Sequence, residues 1–228
     1  AREGAHIRRQ VGRRALYLVA LKDARPETFD AALSRWSKGD SIIDHAEPDH
    51  IAQINSAPVI PNDTQFGEQW NMHNTGGSGK TADADIDAPE AWTITTGSSN
   101  VVLAVIDSGI DLTHPDLQGN LWTNTGESGD GKETDGIDND GNGYVDDVHG
   151  WNFSEGTNSP DDDHGHGSHV AGTIGAIGGN SAGIAGVCHS VQLMALKFLD
   201  VTGSGTDSDA IEAIAYATDN GAFATNNS

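Results

Sequence analysis

The sequence of 228 residues is long enough to bury one or two hydrophobic cores, and it carries a formal net charge of −22 at pH 7. Four of its 34 Asp and Glu residues and nine of its 12 Lys and Arg residues lie in residues 1–38, which leaves 30 acids and 3 bases in residues 39–228. So acidic a body disfavours nucleic acid and anionic membranes as partners and favours cations, while the single Cys188 excludes an internal disulfide and no apolar run reaches the roughly 18 residues of a membrane span.

Residues 1–55 have the sequence pattern of a small α+β unit. The apolar run at residues 15–21 predicts a strand, and residues 41–46 predict a second strand. Between them, residues 26–36 predict a helix, which begins with a proline. Prolines and an asparagine follow, so we predict that residues 56–65 form a linker and the start of the next domain.

Residues 66–228 alternate between predicted strands and helices. The predicted strands are residues 101–106, 192–199 and 222–225, and the predicted helices are residues 169–177 and 208–218. The first of these strands is a continuous apolar run, as expected of a parallel strand that is buried on both faces. The alternation predicts a doubly wound parallel α/β sheet, whose functional side chains gather where its strands end.

A loop rich in glycine and aspartate, residues 124–147, separates the first two of these strands. Oxygen-bearing side chains recur at every second position from residue 138, and Gly143 stands sixth, as at the start of an EF-hand. The twelfth position is His149 rather than Glu, which excludes a complete EF-hand. We predict a Ca²⁺ site; a solvated acidic loop is the alternative. Its predicted ligands are Asp138, Asp140, Asn142, the carbonyl of Tyr144, and Asp146 or Asp147.

Asp107 and His166 have the placement that nucleophilic catalysis requires, one at a strand end and the other at the start of a helix. Asp107 ends the first buried strand, and His166 precedes a helical run of small residues. A catalytic serine hydroxyl needs a base to take its proton and a carboxylate to hold that base in the right tautomer. Each residue alone has an ordinary structural interpretation, as a turn cap or as a structural histidine. Together they could meet above the sheet.

The segments around these two residues resemble the subtilisin-like serine protease family, S8. Residues 104–110, Ala-Val-Ile-Asp-Ser-Gly-Ile, match its aspartate motif, and residues 166–173, His-Gly-Ser-His-Val-Ala-Gly-Thr, match its histidine motif. The resemblance covers roughly residues 40–228. It implies a secreted serine endopeptidase that cleaves polypeptides through an acyl-enzyme, with Asp107 orienting His166 as general base.

The resemblance also implies a substrate site and a second calcium site. An edge segment with Gly203, Ser204 and Gly205 would pair with extended polypeptide by β-augmentation, and Ser228 would begin a second substrate-binding strand. Members related to thermitase bind calcium at positions that match six residues here. These are Asp63, Asp116 and Asn180, with the carbonyls of Ile177, Ala182 and Ile184. An ordinary turn at residues 178–181 is the alternative.

Residues 1–55 resemble the end of the family's propeptide, which assists folding and inhibits the enzyme. Their basic charge suggests electrostatic docking of this intramolecular inhibitor on the acidic body. The family's oxyanion-hole Asn and its Gly-Thr-Ser-Met-Ala nucleophile motif have no counterpart in the 228 residues. We therefore expect residues 66–228 to be the front part of a catalytic domain, and this fragment to be inactive by itself.

Two other functions stay open at this point. His164, His166 and His169 have a spacing that could hold zinc in a metallohydrolase, although the metallo-β-lactamase pattern requires Asp where this chain has Ser168. A non-catalytic, calcium-binding pseudoprotease is the second alternative, because the deciding serine would lie beyond residue 228.

Overall fold

The structure is a computed structural model of the chain, and it describes residues 5–10, 17–21, 57–77 and 79–228. The chain forms two compact units, Ala1–Asn55 and Ser56–Ser228. The predicted helix at residues 26–36 and the predicted strand at residues 41–46 lie outside the described residues.

The first unit contains a two-stranded antiparallel sheet. Strand β1 (Ala5–Gln10) pairs with strand β2 (Tyr17–Leu21), and the register shifts between Ile7 and Arg9. The apolar run at residues 15–21 predicts β2, whereas β1 is not predicted because most of its residues are polar.

The second unit is built on a parallel sheet with the strand order β4-β5-β3-β6. Its strands are β3 (Gly97–Asp107), β4 (Gly150–Asn152), β5 (Ser190–Lys197) and β6 (Ala224–Asn227). Each neighbouring pair runs parallel, with β3 between β5 and β6. The predicted parallel α/β architecture is confirmed, and the carboxyl ends of β3 and β5 lie side by side, with Asp107 opposite Lys197.

Helices cover both faces of this sheet. The α-helices of the described residues are α1 (Ala88–Ala91), α2 (His166–Gly175) and α3 (Asp207–Asp219). Because side chains alternate along a strand, Ala104 and Ile106 of β3 join the hydrophobic cluster of α3, and Val105 joins the cluster that contains Ala171 of α2. The sheet is therefore doubly wound. Within the described part of the chain, no helix combines the length and apolarity of a membrane span.

Residues 124–147, called the acidic loop below, pack against α3 and β4 of the second unit through the aromatic side chain of Tyr144. Tyr144 lies edge-on to Tyr216 of α3 and to Trp151 of β4, with ring centroids 4.9 and 5.1 Å apart. The Tyr144 hydroxyl donates to Glu212 of α3 at 3.0 Å. These contacts attach a polar loop to the apolar cluster under α3.

Candidate active site and cation sites

Asp107 and His166 meet at the carboxyl edge of the sheet, where β3 ends and α2 begins. The Nδ1 atom of His166 lies 2.8 and 3.0 Å from the two carboxylate oxygens of Asp107. A carboxylate can only accept, so Nδ1 carries the proton and Nε2 keeps its lone pair. The Asp107 side chain is 0% exposed and that of His166 is 51% exposed, so a reacting group can reach the imidazole.

The electrostatics of this dyad favour the protonated imidazole. The hydrogen bond and the negative charge of Asp107 raise the pKa of His166 above its ordinary value, against the smaller effect of burial. A base that takes a proton from a hydroxyl group needs this stabilisation, because it becomes an imidazolium ion. The arrangement can therefore accept a proton at Nε2.

A partly buried hydrogen-bond network joins the two elements that carry the dyad. The Ser108 hydroxyl accepts the backbone N–H of Gly167 at 2.9 Å and donates to Asp162 at 2.9 Å. Asp162 also accepts the backbone N–H and the hydroxyl of Ser168, at 2.8 and 2.6 Å. Burial alone would raise the pKa of Asp162, but these bonds and those from the backbone of His164 and Gly165 outweigh it and lower that pKa.

Lys197 is a buried cation at the end of β5, opposite Asp107, and no sequence motif predicts its role. Its side chain is 2% exposed and forms an ion pair with Asp163 at 2.7 Å. The ammonium group also donates to the carbonyls of Ser108 and Leu199, at 2.7 and 2.8 Å. Lys197 thereby connects the end of β3, the segment after β5 and the loop before α2. A buried lysine is tolerated only when such partners satisfy its charge.

The predicted substrate segment lies exposed beyond β5. The backbone N–H of Asp200 donates to the carbonyl of Ser204 at 2.8 Å, and that of Gly203 donates to the carbonyl of Asp200 at 2.9 Å. Gly203 has a φ of 73°, which favours glycine. A Cβ atom on Gly205 would lie 2.2 Å from the carbonyl oxygen of Phe198, so this position also requires glycine.

Ser228 follows β6, and its backbone N–H donates to the carbonyl of Ile106 at 3.3 Å. The predicted second substrate-binding position therefore lies beside Ile106, the residue of β3 that precedes Asp107.

The three histidines of the zinc alternative do not form a metal-binding group. The rings of His164 and His166 lie 6.4 Å apart, and His166 uses Nδ1 on Asp107. Within the described residues, the one group of three or more potential ligand side chains close enough to share a metal ion contains no histidine.

Asp63 and Asp116 of the predicted second calcium site both contact the loop at residues 177–184. Asp63, which is 6% exposed, accepts the backbone N–H of Gly179 at 2.6 Å. Its other carboxylate oxygen is buried and has no hydrogen-bond partner within the part of the chain that the structure describes. Asp116 accepts the amide of Asn180 at 2.6 Å and the backbone N–H of Ile184 at 3.0 Å. The N–H of Ile177 donates to the Asp116 carbonyl, and that of Ala182 donates to the Asn180 side chain. A buried, unpartnered carboxylate oxygen suits a cation.

The acidic loop brings together only part of its predicted ligand set. Asp138 and Asp140 approach each other, and Asn142 accepts the N–H of Tyr144 at 2.8 Å through its side-chain oxygen. The carboxylate of Asp146 accepts the N–H of Gly136. The carboxylate of Asp147 is buried and accepts the amides of Asn124 and Asn142 and the hydroxyl of Tyr216.

Asp138 and Asp140 form a cluster of three carboxylates with Glu127, which has no place in the predicted EF-hand spacing. One oxygen each of Glu127, Asp138 and Asp140 lie within 4.8 Å of one another. Glu127 precedes Asp138 by eleven residues, so no local repeat in the sequence connects it with the loop. Its contribution depends on how the chain folds back.

A family model described as the Subtilase family matches residues 98–228, more than half of the chain. The chain is 34% identical over 226 residues to Subtilisin-like protease 1 of Plasmodium berghei, covering 94% of this chain and 35% of that protein. It is 34% identical over 186 residues to the Thermophilic serine proteinase of Bacillus sp. (strain AK1), covering 81% of this chain and 36% of that protein. The chain thus spans about a third of the length of these curated relatives.

A solved structure, that of the Aeromonas sobria serine protease in complex with its chaperone, resembles this chain with a TM-score of 0.52 and 22% sequence identity. The similarity covers 74% of this chain and 26% of that one. At this identity the likeness concerns the fold, and it agrees with the parallel α/β sheet described above.

Proposed function

The chain belongs to the subtilase family, and we propose that its second unit supplies the aspartate and the histidine of a serine endopeptidase. The observation that carries this proposal is the pair of contacts between His166 and the buried Asp107, at 2.8 and 3.0 Å. The similarity to proteins named as serine proteases supports the same reaction class.

In the proposed reaction, Nε2 of His166 takes the proton of a serine hydroxyl as its oxygen attacks the scissile carbonyl carbon. Asp107 holds Nδ1 protonated and stabilises the imidazolium that forms. His166 then gives the proton to the leaving amine as the peptide C–N bond breaks, and water releases the acyl group by the same steps. The nucleophile and the oxyanion donor lie outside residues 1–228 in this proposal, so the 228-residue chain alone does not cleave peptides.

The proposed substrate is an extended polypeptide. The exposed segment with Gly203, Ser204 and Gly205 offers an edge for backbone pairing, and glycines allow another backbone to approach closely. Ser228 follows β6, which lies on the opposite side of β3 from β5. Both proposed substrate-binding segments therefore lie at the carboxyl edge of the sheet, one on each side of β3.

Two calcium ions belong to the proposal as structural ligands. One is held by Asp63, Asp116 and Asn180 with the carbonyls of Ile177, Ala182 and Ile184, and the buried, unpartnered oxygen of Asp63 supports it. The other lies in the acidic loop, whose donors are all oxygen atoms, as Ca²⁺ prefers. Calcium would supply local rigidity, and no chemical step passes through it.

We assign residues 1–55 to a propeptide that inhibits the enzyme, and we expect secretion. The excess of basic residues in residues 1–38 and the acidity of residues 39–228 support the first assignment. If charge drives this inhibition, the inhibition constant rises with salt concentration. An inhibition constant that does not change with salt would exclude electrostatic docking.

Peptide hydrolysis by the product of the complete reading frame tests the proposed function. Asp107→Ala and His166→Ala should each lower kcat by at least about 10⁴-fold with little change in KM, because both residues act in the transition state. His169→Ala, an exposed histidine on the same helix, is the matched control and should retain activity. Loss of activity only in His169→Ala would contradict the proposal, and a wild-type protein without activity would favour the pseudoprotease.

A further inference from the structure

Glu127 is a buried acidic side chain of the acidic loop, and only one of its two carboxylate oxygens accepts hydrogen bonds from the described residues. It is 0% exposed. Its Oε1 atom accepts the backbone N–H groups of Asn139 and Asp140, at 2.5 and 3.0 Å. Its Oε2 atom is buried and has no hydrogen-bond partner among the described residues. A buried carboxylate oxygen without a donor is costly, and a bound cation would offset this cost.

The carboxylate of Glu127 belongs to a cluster with two further carboxylates. Asp138 and Asp140 each place an oxygen within 4.8 Å of an oxygen of Glu127. Three carboxylates at this distance repel one another unless a cation lies between them. The one lysine of the loop does not neutralise them, because the Lys132 ammonium donates to the carbonyl of Gly126 at 3.3 Å.

The chain is folded so that Glu127 reaches this space from outside the EF-hand-like sequence. A Cβ atom on Gly126 would lie 2.5 Å from the Cβ atom of Asp140, so only glycine permits this approach. The amide of Asn124 donates to both Asp140 and Asp147, at 2.8 and 2.7 Å. The turn at residues 124–127 is thereby fixed against the loop, and the carboxylate of Glu127 points toward Asp138 and Asp140.

We propose that Glu127 is a direct ligand of a hard divalent cation, with Asp138 and Asp140, in the role that an EF-hand assigns to the Glu at its twelfth position. This inference rests on the proposed binding of calcium by the acidic loop and changes which residues bind it. Asp147 is not a member of the three-carboxylate group, and its oxygens accept the amides of Asn124 and Asn142 and the hydroxyl of Tyr216. Asp147 instead connects the site to α3.

Calcium binding to the complete 228-residue chain, freed of metal with a chelator and titrated with CaCl₂ in a calorimeter, tests this assignment. The wild type should bind two ions, one at each proposed site. Glu127→Gln keeps the shape of the side chain but removes its charge, and it should weaken one site by at least about 100-fold, the upper end of what losing an outer-shell partner costs. Asp138→Asn, a less buried member of the same cluster, should weaken the same site.

Glu133→Gln is the matched control, since it makes the same chemical change at an exposed position of the same loop. It should leave both sites intact. Circular dichroism of each variant separates a lost ligand from a lost fold, and Asp138→Asn decides the matter if Glu127→Gln does not fold.

Glu127→Gln with wild-type affinity at both sites would overturn the proposal, and Glu127 would then be a protonated, structural carboxyl group. A chain that binds one ion, lost in Asp116→Asn but not in Asp138→Asn, would also overturn it. Neither outcome bears on the proposed protease function, whose test is kinetic and concerns Asp107 and His166.

Discussion

Gly167→Ala tests whether the glycines of α2 position the dyad. Gly167 is the second residue of α2, and a Cβ atom there would lie 2.0 Å from the carbonyl oxygen of Gly109. Heavy atoms without a bond between them do not approach this closely, so the start of α2 would have to move by about 1 Å or more. The obstacle is backbone, and no side-chain rotation removes it.

A displacement of this size would break the contacts that this end of the helix makes. The backbone N–H of Gly167 lies 2.9 Å from the Ser108 hydroxyl, and His166 Nδ1 lies 2.8 Å from Asp107. An additional 1 Å takes both beyond hydrogen-bonding distance. Overpacking costs about 1–3 kcal/mol. For a domain of this size we expect Tm to fall by roughly 2–12 °C.

Gly172→Ala is the control on the same helix. A Cβ atom on Gly172 would meet only the Cδ1 atom of Ile184, at an ordinary 3.6 Å. Alanine in a helix interior is favoured over glycine by roughly 0.5–1 kcal/mol, so Tm should rise by a few degrees.

Thermal unfolding and an NMR pH titration of His166 measure both consequences. In Gly167→Ala the pKa of His166 should return toward its ordinary value of 6.5, because the hydrogen bond to Asp107 is the main cause of its elevation. In Gly172→Ala the raised pKa should persist. Equal Tm values for the two variants, or a raised pKa in Gly167→Ala, would refute the proposed seating of α2.

Three more predictions concern charge and calcium. Asp107→Asn should lower the pKa of His166 toward 6.5, and an unchanged NMR titration of His166 would contradict the pairing. Because the folded-state pKa of His166 is raised, the stabilisation from this pair is present below pH 6.5 and is lost as pH rises through the raised pKa. Lys197→Met should lower the free energy of unfolding, measured by urea titration, by about 2–4 kcal/mol. The substitution leaves two backbone carbonyls and the half-exposed Asp163 without their partner. The control Lys132→Met loses one 3.3 Å hydrogen bond and should have little effect in the same titration. Calcium at about 100 times its Kd should stabilise by about 2.7 kcal/mol per site relative to chelated protein, and a Tm that does not respond to chelator would exclude both sites.

The sequence alone predicts a strand of the sheet where that strand is a continuous run of apolar residues. The apolar run at residues 101–106 predicts β3, which the structure extends to Gly97–Asp107. Gly97 pairs with Ser190 and Asp107 with Lys197 although neither is apolar, and the register is irregular between Gly97 and Val102. The predicted helix at residues 169–177 begins three residues earlier, at His166. Its N-cap is Gly165 with a φ of 97° and no side-chain cap, so the usual capping signal is missing from the sequence.

The candidate site could be predicted where position along an element decides it. Asp107 and His166 follow from a strand end and a helix start, which a parallel sheet brings to one edge. Glu127 and Lys197 could not be predicted in the same way. Their partners are distant in sequence or are backbone carbonyls, and neither leaves a local spacing to recognise.

The acidic loop shows the limit of a spacing argument. Alternate positions predict either Asp146 or Asp147 as the closing ligand. Asp146 has a φ of 56°, which turns the backbone at this point, and its carboxylate accepts the N–H of Gly136. Asp147 turns inward to Tyr216, where burial raises the pKa of its carboxyl group in spite of the hydrogen bonds that it accepts.

The most direct test of the proposed function is covalent labelling of the complete reading-frame product with a fluorophosphonate, followed by mass spectrometry. The serine oxygen attacks the phosphorus of the reagent and displaces fluoride only when a neighbouring base takes the hydroxyl proton. We expect one labelled serine, outside residues 1–228, and no labelling in His166→Ala. No labelled serine in the wild type, or equal labelling in His166→Ala, would contradict the assignment of Asp107 and His166 to a serine protease.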